Sequence, residues 1–249
     1  MSVRRIVVEV NGAPASYRES GAGIVAIVTA GLGLTSRFYA ESYRAFASAG
    51  IRLVVPDLPG WGETPGPRTG ASAEDTAAFL LAFADRVGVE KAIWIGHSVG
   101  VHAVSLVAAA SPARARGLVL VGPTGEPGRF LLGRQAFGLM KEAARTSWRV
   151  LGAVARDYLT SSPLRYFGTW LRQARDDLVG RAPRIQCPTL LLAGDADPVC
   201  RPAFLELLQH RIPHARLECI PGASHALPRG HAAAFNRAVI RFIRELPAG

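Results

Sequence analysis

The chain is poor in cysteine, in lysine and in uninterrupted apolar sequence, and each shortage removes a class of protein. Its 249 residues hold three cysteines, Cys187, Cys200 and Cys219, with no Cys-x-x-Cys pair and no histidine cluster at ligand spacing. An odd, dispersed set excludes a complete disulfide framework and leaves zinc without ligands. The three read as reduced, partly buried small residues, and no residue is assigned to a metal or a cofactor. No window stays apolar and uncharged over the ~18 residues that a membrane span needs. The longest candidate, Val99 to Ala110, is too short and contains His102 and Ser105. Near the start, Glu9 and Asn11 cut the apolar run, so no secretory signal is read and the expectation is a cytoplasmic protein without a membrane span. No period of roughly 20 to 50 residues recurs, which leaves out a solenoid.

Lysine is confined to Lys91 and Lys141, yet the net charge is +10, so nearly all the positive charge is arginine. The arginines stand singly and no nucleic-acid motif accompanies them; they read as a solvated surface and not as a nucleic-acid site. They are unevenly spread, however: between Pro123 and Gln186, eleven basic residues stand against five acidic ones. With 49% hydrophobic and 19% charged residues, the chain can build the core of one large α/β domain, with or without an insertion.

Apolar runs bounded by Gly and Pro alternate with amphipathic stretches, the pattern of βαβ units and a mainly parallel sheet. Strands are predicted at Arg4–Val10, Ser16–Glu19, Ile24–Thr29, Ile51–Val55, Lys91–Gly96, Gly117–Val121, Thr189–Ala193 and Ala215–Ile220. The first two are joined by Asn11-Gly12, a turn pair. Helices are predicted at Arg37–Ala49, from Ser72 or Glu74 to Arg86, at Ser98–Ala110, Pro202–His210 and His231–Leu246. From Pro123 to Arg184 the rhythm breaks into several helices carrying Trp148, Tyr158, Tyr166, Phe167 and Trp170. The expected organisation is a core of residues 1–122 and 185–249, interrupted after the sixth strand by a helical cap of residues 123–184, longer than an ordinary connection. Phe130, Leu131, Leu132, Phe137, Leu139 and Met140 form an apolar stripe there, expected to pack onto the core.

Gly96-His97-Ser98-Val99-Gly100 is the only Gly-x-Ser-x-Gly in the chain, and it lies between a predicted strand and a predicted helix. In that setting the serine occupies a strained turn with its hydroxyl clear of the backbone, and flanking glycines keep Cβ atoms out of the way. The helix N-terminus presents free N–H groups to developing negative charge. A serine hydroxyl needs a base. Of the six histidines, His225 stands in a loop directly after a predicted strand, at the sheet edge where open α/β folds place their sites. His97 is expected to turn away from the hydroxyl; His102, His210, His214 and His231 read as structural. An acid is then needed to hold the second imidazole nitrogen. Asp197 follows a strand and is the choice, with Asp195 and Glu126 as rivals.

The order Ser98, Asp197, His225 and the loops around it resemble the α/β-hydrolase fold family over nearly the whole chain outside the insertion. Asp57-Leu58-Pro59-Gly60-Trp61-Gly62-Glu63-Thr64 resembles that family's Asp-x-x-Gly-x-Gly-x-Ser loop, with Trp61 where a histidine is usual. Ala30-Gly31-Leu32-Gly33 stands where the family usually has His-Gly. The resemblance implies an oxyanion hole made by the backbone N–H groups of Leu32 and Val99. It implies hydrolysis of a small or medium carboxylic ester or lactone through an acyl-enzyme, with a small-molecule partner and no cofactor. Hydrolysis of a carbon–carbon bond in a diketone-like acid is the alternative, along with a non-catalytic ligand-binding protein on the same fold. Serine rather than aspartate at position 98 disfavours the dehalogenase and epoxide hydrolase branches. The arginine excess of the insertion makes an anionic substrate a further expectation.

Overall fold

The computed structural model describes residues 2–128, 131–159 and 161–247, without the side chains of residues 131 and 132. Among these, eight strands form one sheet: β1 (Arg4–Val10), β2 (Ala13–Ser20), β3 (Ile24–Thr29), β4 (Ile51–Pro56), β5 (Ala92–His97), β6 (Ala115–Val121), β7 (Thr189–Gly194) and β8 (Ala215–Ile220). Their order is β1-β2-β4-β3-β5-β6-β7-β8, and β2 alone runs against the rest. The predicted turn is where β1 reverses into β2: Asn11 and Gly12 both take positive φ, 51° and 78°, and Val10 faces Ala13. That is the conformation a two-residue hairpin asks for. β2 starts earlier than predicted, at Ala13, and accommodates Pro14. Its pairing with β4 is confined to Tyr17–Ser20, so the missing Pro14 N–H breaks no bond on that side.

The central strands are apolar throughout because helices cover both faces. Along β5 the side chains alternate. Ile93 and Ile95 pack with Phe46, Phe235 and Phe242 on one face, and Trp94 packs with Leu80, Phe83 and Phe204 on the other. The Trp94 indole N–H donates to the Arg114 carbonyl at 2.9 Å, so its polar edge is satisfied inside the core. The first face is covered by α1 (Ala40–Ser48) and α10 (Ala232–Glu245). The second is covered by α2 (Ala73–Arg86), α3 (Gly100–Ala110) and α8 (Pro202–Arg211). Ser72 caps α2 in a reciprocal box with Asp75, which fixes the start that the sequence left between two residues. The helix predicted from Arg37 opens instead as a 3₁₀ turn at Ser36–Tyr39, capped by the Thr35 side chain, before α1 proper.

Between β6 and β7 the chain forms α4 (Leu131–Arg145), α5 (Trp148–Leu159), α6 (Pro163–Gln173) and the short α7 (Leu178–Arg181). A further short helix, α9 (Leu227–Gly230), precedes α10. No described helix is long and apolar enough to cross a membrane. The apolar stripe of α4 departs from expectation. Phe137, Leu139 and Met140 are exposed, because the face of α4 turned to the core is the one bearing Gln135, Gly138 and Glu142. Phe130 lies outside the described residues.

Candidate active site

Ser98 sits between β5 and α3 with φ +54°; among the described residues only Asn11 shares a positive φ without being glycine. The turn is anchored by the Ser98 N–H, which donates to the Val121 carbonyl at 2.8 Å. Its sharpness explains both flanking glycines. A Cβ on Gly96 would stand 2.6 Å from the Val104 side chain and 2.7 Å from the Val101 Cα, and one on Gly100 only 2.4 Å from the Thr29 carbonyl oxygen. Strand, turn and helix approach too closely for anything larger.

The loop after β8 delivers His225 and the loop after β7 delivers Asp197. The Ser98 Oγ lies 2.9 Å from His225 Nε2, and His225 Nδ1 lies 2.8 Å from the Asp197 Oδ2. The other Asp197 oxygen accepts the Val199 and Cys200 N–H groups at 2.7 and 2.9 Å, so the carboxylate is oriented from both sides. The rivals are occupied elsewhere. Asp195 accepts the Gly222 N–H at 2.7 Å and ties the two loops together, and Glu126 pairs with Arg201 and Arg134.

Burial opposes charge on His225, but Asp197, and beyond it Glu142, outweigh burial and hold the imidazole above its ordinary value. Burial likewise acts to raise Asp197, while His225 and the two loop N–H groups bring it below the usual carboxylate range. His97 behaves oppositely: burial, reinforced by His225, pushes it down to about 3. Its Nε2 lies 3.0 Å from the His225 carbonyl oxygen, so the neutral ring donates there and steadies the loop. Among the described residues the Ser98 hydroxyl is bonded to His225 and not to His97. His102 is buried against Asp176 at 2.6 Å and is structural.

Leu32 and Val99 both line the cavity at Ser98. Neither backbone N–H has a hydrogen-bond partner among the described residues. The loop bearing Leu32 is pressed against the nucleophile turn: a Cβ on Gly31 would lie 3.3 Å from the Ser98 Cβ. Asp57 holds this loop's continuation by accepting the Ser36 N–H at 2.7 Å. Trp61, in the histidine's usual place, packs against Tyr166 of α6 with the rings tilted by 58° and their centroids 4.7 Å apart.

The helices after β6 contribute residues that the sequence reading missed. Glu142 of α4 is buried and accepts the backbone N–H groups of His225 and Ala226 at 3.2 and 2.9 Å. Asp157 of α5, also buried, accepts the N–H and hydroxyl of Thr35, each at 2.9 Å. Arg165 of α6 donates to the carbonyls of Gly60 at 2.8 Å, Pro67 at 3.0 Å and Gly66 at 3.3 Å. The available signal for Glu142 was its spacing, four residues after Gly138 on the inward stripe of α4.

The cavity over Ser98 measures about 240 Å³ and is walled mainly by apolar side chains of the insertion, among them Leu139, Val150, Leu151 and Val154. Among the described residues no arginine or lysine lines it, and Glu142 does. Several arginines between β6 and β7 are engaged elsewhere, Arg134 with Glu126, Arg165 with the Gly60 carbonyl and Arg181 with Asp176, so the described lining offers an anionic substrate no counter-charge.

The family described as serine aminopeptidase, S33, matches residues 21–230. A 2-hydroxy-6-oxononadienedioate/2-hydroxy-6-oxononatrienedioate hydrolase of Burkholderia vietnamiensis is 27% identical, over 92% of this chain and 90% of its own. The enzyme of the same description from Paraburkholderia phymatum is 36% identical over 121 residues, 46% of this chain and 42% of its own. Among solved structures, the enol-lactonase from Burkholderia xenovorans LB400 superposes with a TM-score of 0.85 at 21% identity, covering 96% of this chain and all of that one. Sheet order, nucleophile turn and family match agree: the chain belongs to the α/β-hydrolase family, in the group described as serine aminopeptidase, S33.

Proposed function

We propose that the protein is a serine hydrolase that cleaves a small or medium, uncharged carboxylic ester or lactone through an acyl-enzyme. One observation carries the reading: a carboxylate–imidazole–hydroxyl chain with links of 2.8 and 2.9 Å that ends in an apolar cavity of about 240 Å³. His225 takes the hydroxyl proton as the Ser98 Oγ attacks the carbonyl carbon, and Asp197 stabilises the imidazolium. The N–H groups of Leu32 and Val99 receive the oxyanion, each worth about 3 kcal/mol in comparable sites. His225 then protonates the leaving alcohol, and a water activated by the same imidazole releases the acid. Residues 123–184 serve as the cap on a core of residues 1–122 and 185–249, and they set the acyl pocket.

Among the described residues the lining carries Glu142 and no Arg or Lys, which favours a neutral substrate. Neutral nitrophenyl esters are expected to exceed carboxylate-bearing esters of equal size by about tenfold or more in kcat/KM at low salt. Carbon–carbon bond hydrolysis is the second reading, supported by the likeness to the dienedioate hydrolases. The described lining of the pocket offers a dicarboxylate no counter-charge, which weighs against it. The deciding experiment compares ester turnover by the wild type and Ser98→Ala, with fluorophosphonate labelling. Labelled Ser98 with ester turnover lost in the variant supports the first reading. Labelling without ester turnover turns attention to the second, and undiminished turnover in Ser98→Ala removes both.

A further inference from the structure

The exposed apolar side chains of this molecule are gathered in one region. Among the described residues eleven large apolar side chains are exposed, and all but Val3 and Val7 lie between positions 137 and 167, on α4, α5 and α6. Trp148, Met140 and Leu159 are 76%, 70% and 87% exposed, and clustering of this kind marks an interaction surface. The stripe is ordered: Trp148, Leu151, Ala155 and Leu159 recur on one side of α5. Leu159 converges with Leu139 and Phe167 on an apolar groove between the three helices. That groove shares Leu32, Leu139, Tyr158 and Trp170 with the cavity over Ser98. The groove beside the outward apolar face and the pocket therefore share part of one wall.

The charge on these helices has one sign toward solvent. Their only acidic residues, Glu142 and Asp157, are buried and accept hydrogen bonds from the core. The cations stay outside: Lys141 lies over the Phe137 ring and Arg149 over the Trp148 ring, at 4.5 and 5.3 Å from the ring centroids, and Arg145 and Arg156 are exposed. A second copy of the chain would bring the same cations against themselves, whereas an anionic bilayer complements an apolar face ringed by positive charge.

From this we infer that the face formed by α4, α5 and α6 docks on an anionic lipid surface, so that the pocket at Ser98 draws its ester from the lipid phase. The second half rests on the proposed hydrolase reading; the docking itself does not.

The test is co-sedimentation of the full chain carrying Ser98→Ala with vesicles of phosphatidylcholine alone or mixed equally with phosphatidylglycerol. Binding is expected to the mixed vesicles, to be much weaker on phosphatidylcholine, and to fall steeply at about 0.5 M salt. Met140→Ser with Trp148→Ser, and separately Lys141→Glu with Arg149→Glu, should each weaken partitioning by about tenfold or more. The same pairs on the Ser98 background should leave kcat/KM for a short water-soluble ester within about twofold, since none of the four residues lines the pocket. Equal partitioning of parent and variants, or no preference for the anionic vesicles, overturns the inference. So does a wild-type dimer that Met140→Ser with Trp148→Ser dissociates. Because binding is read on Ser98→Ala, loss of docking and loss of the catalytic reading are separate results.

Discussion

At the nucleophile a residue with a Cβ is held at φ +54°, a conformation that costs about 1–2 kcal/mol for any residue but glycine. Ser98→Gly should therefore be more stable than Ser98→Ala by about 1 kcal/mol in urea denaturation, both being inactive. Equal stability would mean that the turn is not strained. On the proposed mechanism the sign of the pH dependence follows from His225, whose imidazole would work as the neutral base and is held above its ordinary value of 6.5. Activity should thus rise with pH through a midpoint above 6.5 and level off on the alkaline side. Glu142→Gln removes one of the charges responsible and should move that midpoint down; coincident kcat/KM profiles would show that Glu142 exerts no field on the base. His97, neutral throughout this range, adds none. Asp197→Asn should lower kcat on the order of 10⁴-fold by releasing the imidazole from its tautomer.

Helix α4 is the element on which the loops of the acid and the base both lean. Its Gly138 packs so closely that a Cβ there would stand 2.6 Å from the Pro198 carbonyl oxygen and 3.1 Å from the Val199 Cα. Gly138→Ala should raise helix propensity by roughly 1 kcal/mol yet push α4 off the Asp197 loop, lowering kcat/KM on the order of tenfold. Gly152→Ala, on an open face of α5 with no atom within 4 Å, should gain the propensity alone and leave kinetics untouched. Thermal denaturation together with ester kinetics distinguishes the two. That Ser98, Asp197 and His225 come together could be anticipated because each stands in the turn or loop that follows a strand whose apolar run announces it. Glu142 and Asp157 could not be, because a charge on an amphipathic helix reads as solvated. Their partners are 83 and 122 residues distant, and only folding reveals them.

Across the whole molecule, each long helix of the insertion puts one charged side chain onto the backbone of the core: Glu142, Asp157 and Arg165. The strand order emerged only from the structure, but the strands, their mainly parallel pairing and the helical stretch after β6 could be read from the alternation of strand and helix signals. The direction of the insertion's charge could not, since composition counts arginines without showing where they point. Arg165→Met should cost about 1–2 kcal/mol, given its partly exposed bonds. It should also speed proteolysis within residues 123–184; an unchanged digestion rate would show that α6 is held by packing alone. The bond from Glu142 to the His225 backbone has a larger consequence. On the proposed mechanism, a displacement of α4 would remove one of three anchors of His225, the others being Asp197 and His97, so opening at this helix is expected to slow proton transfer. Under that reading the serine would be least reactive whenever the pocket stands open to bulk water.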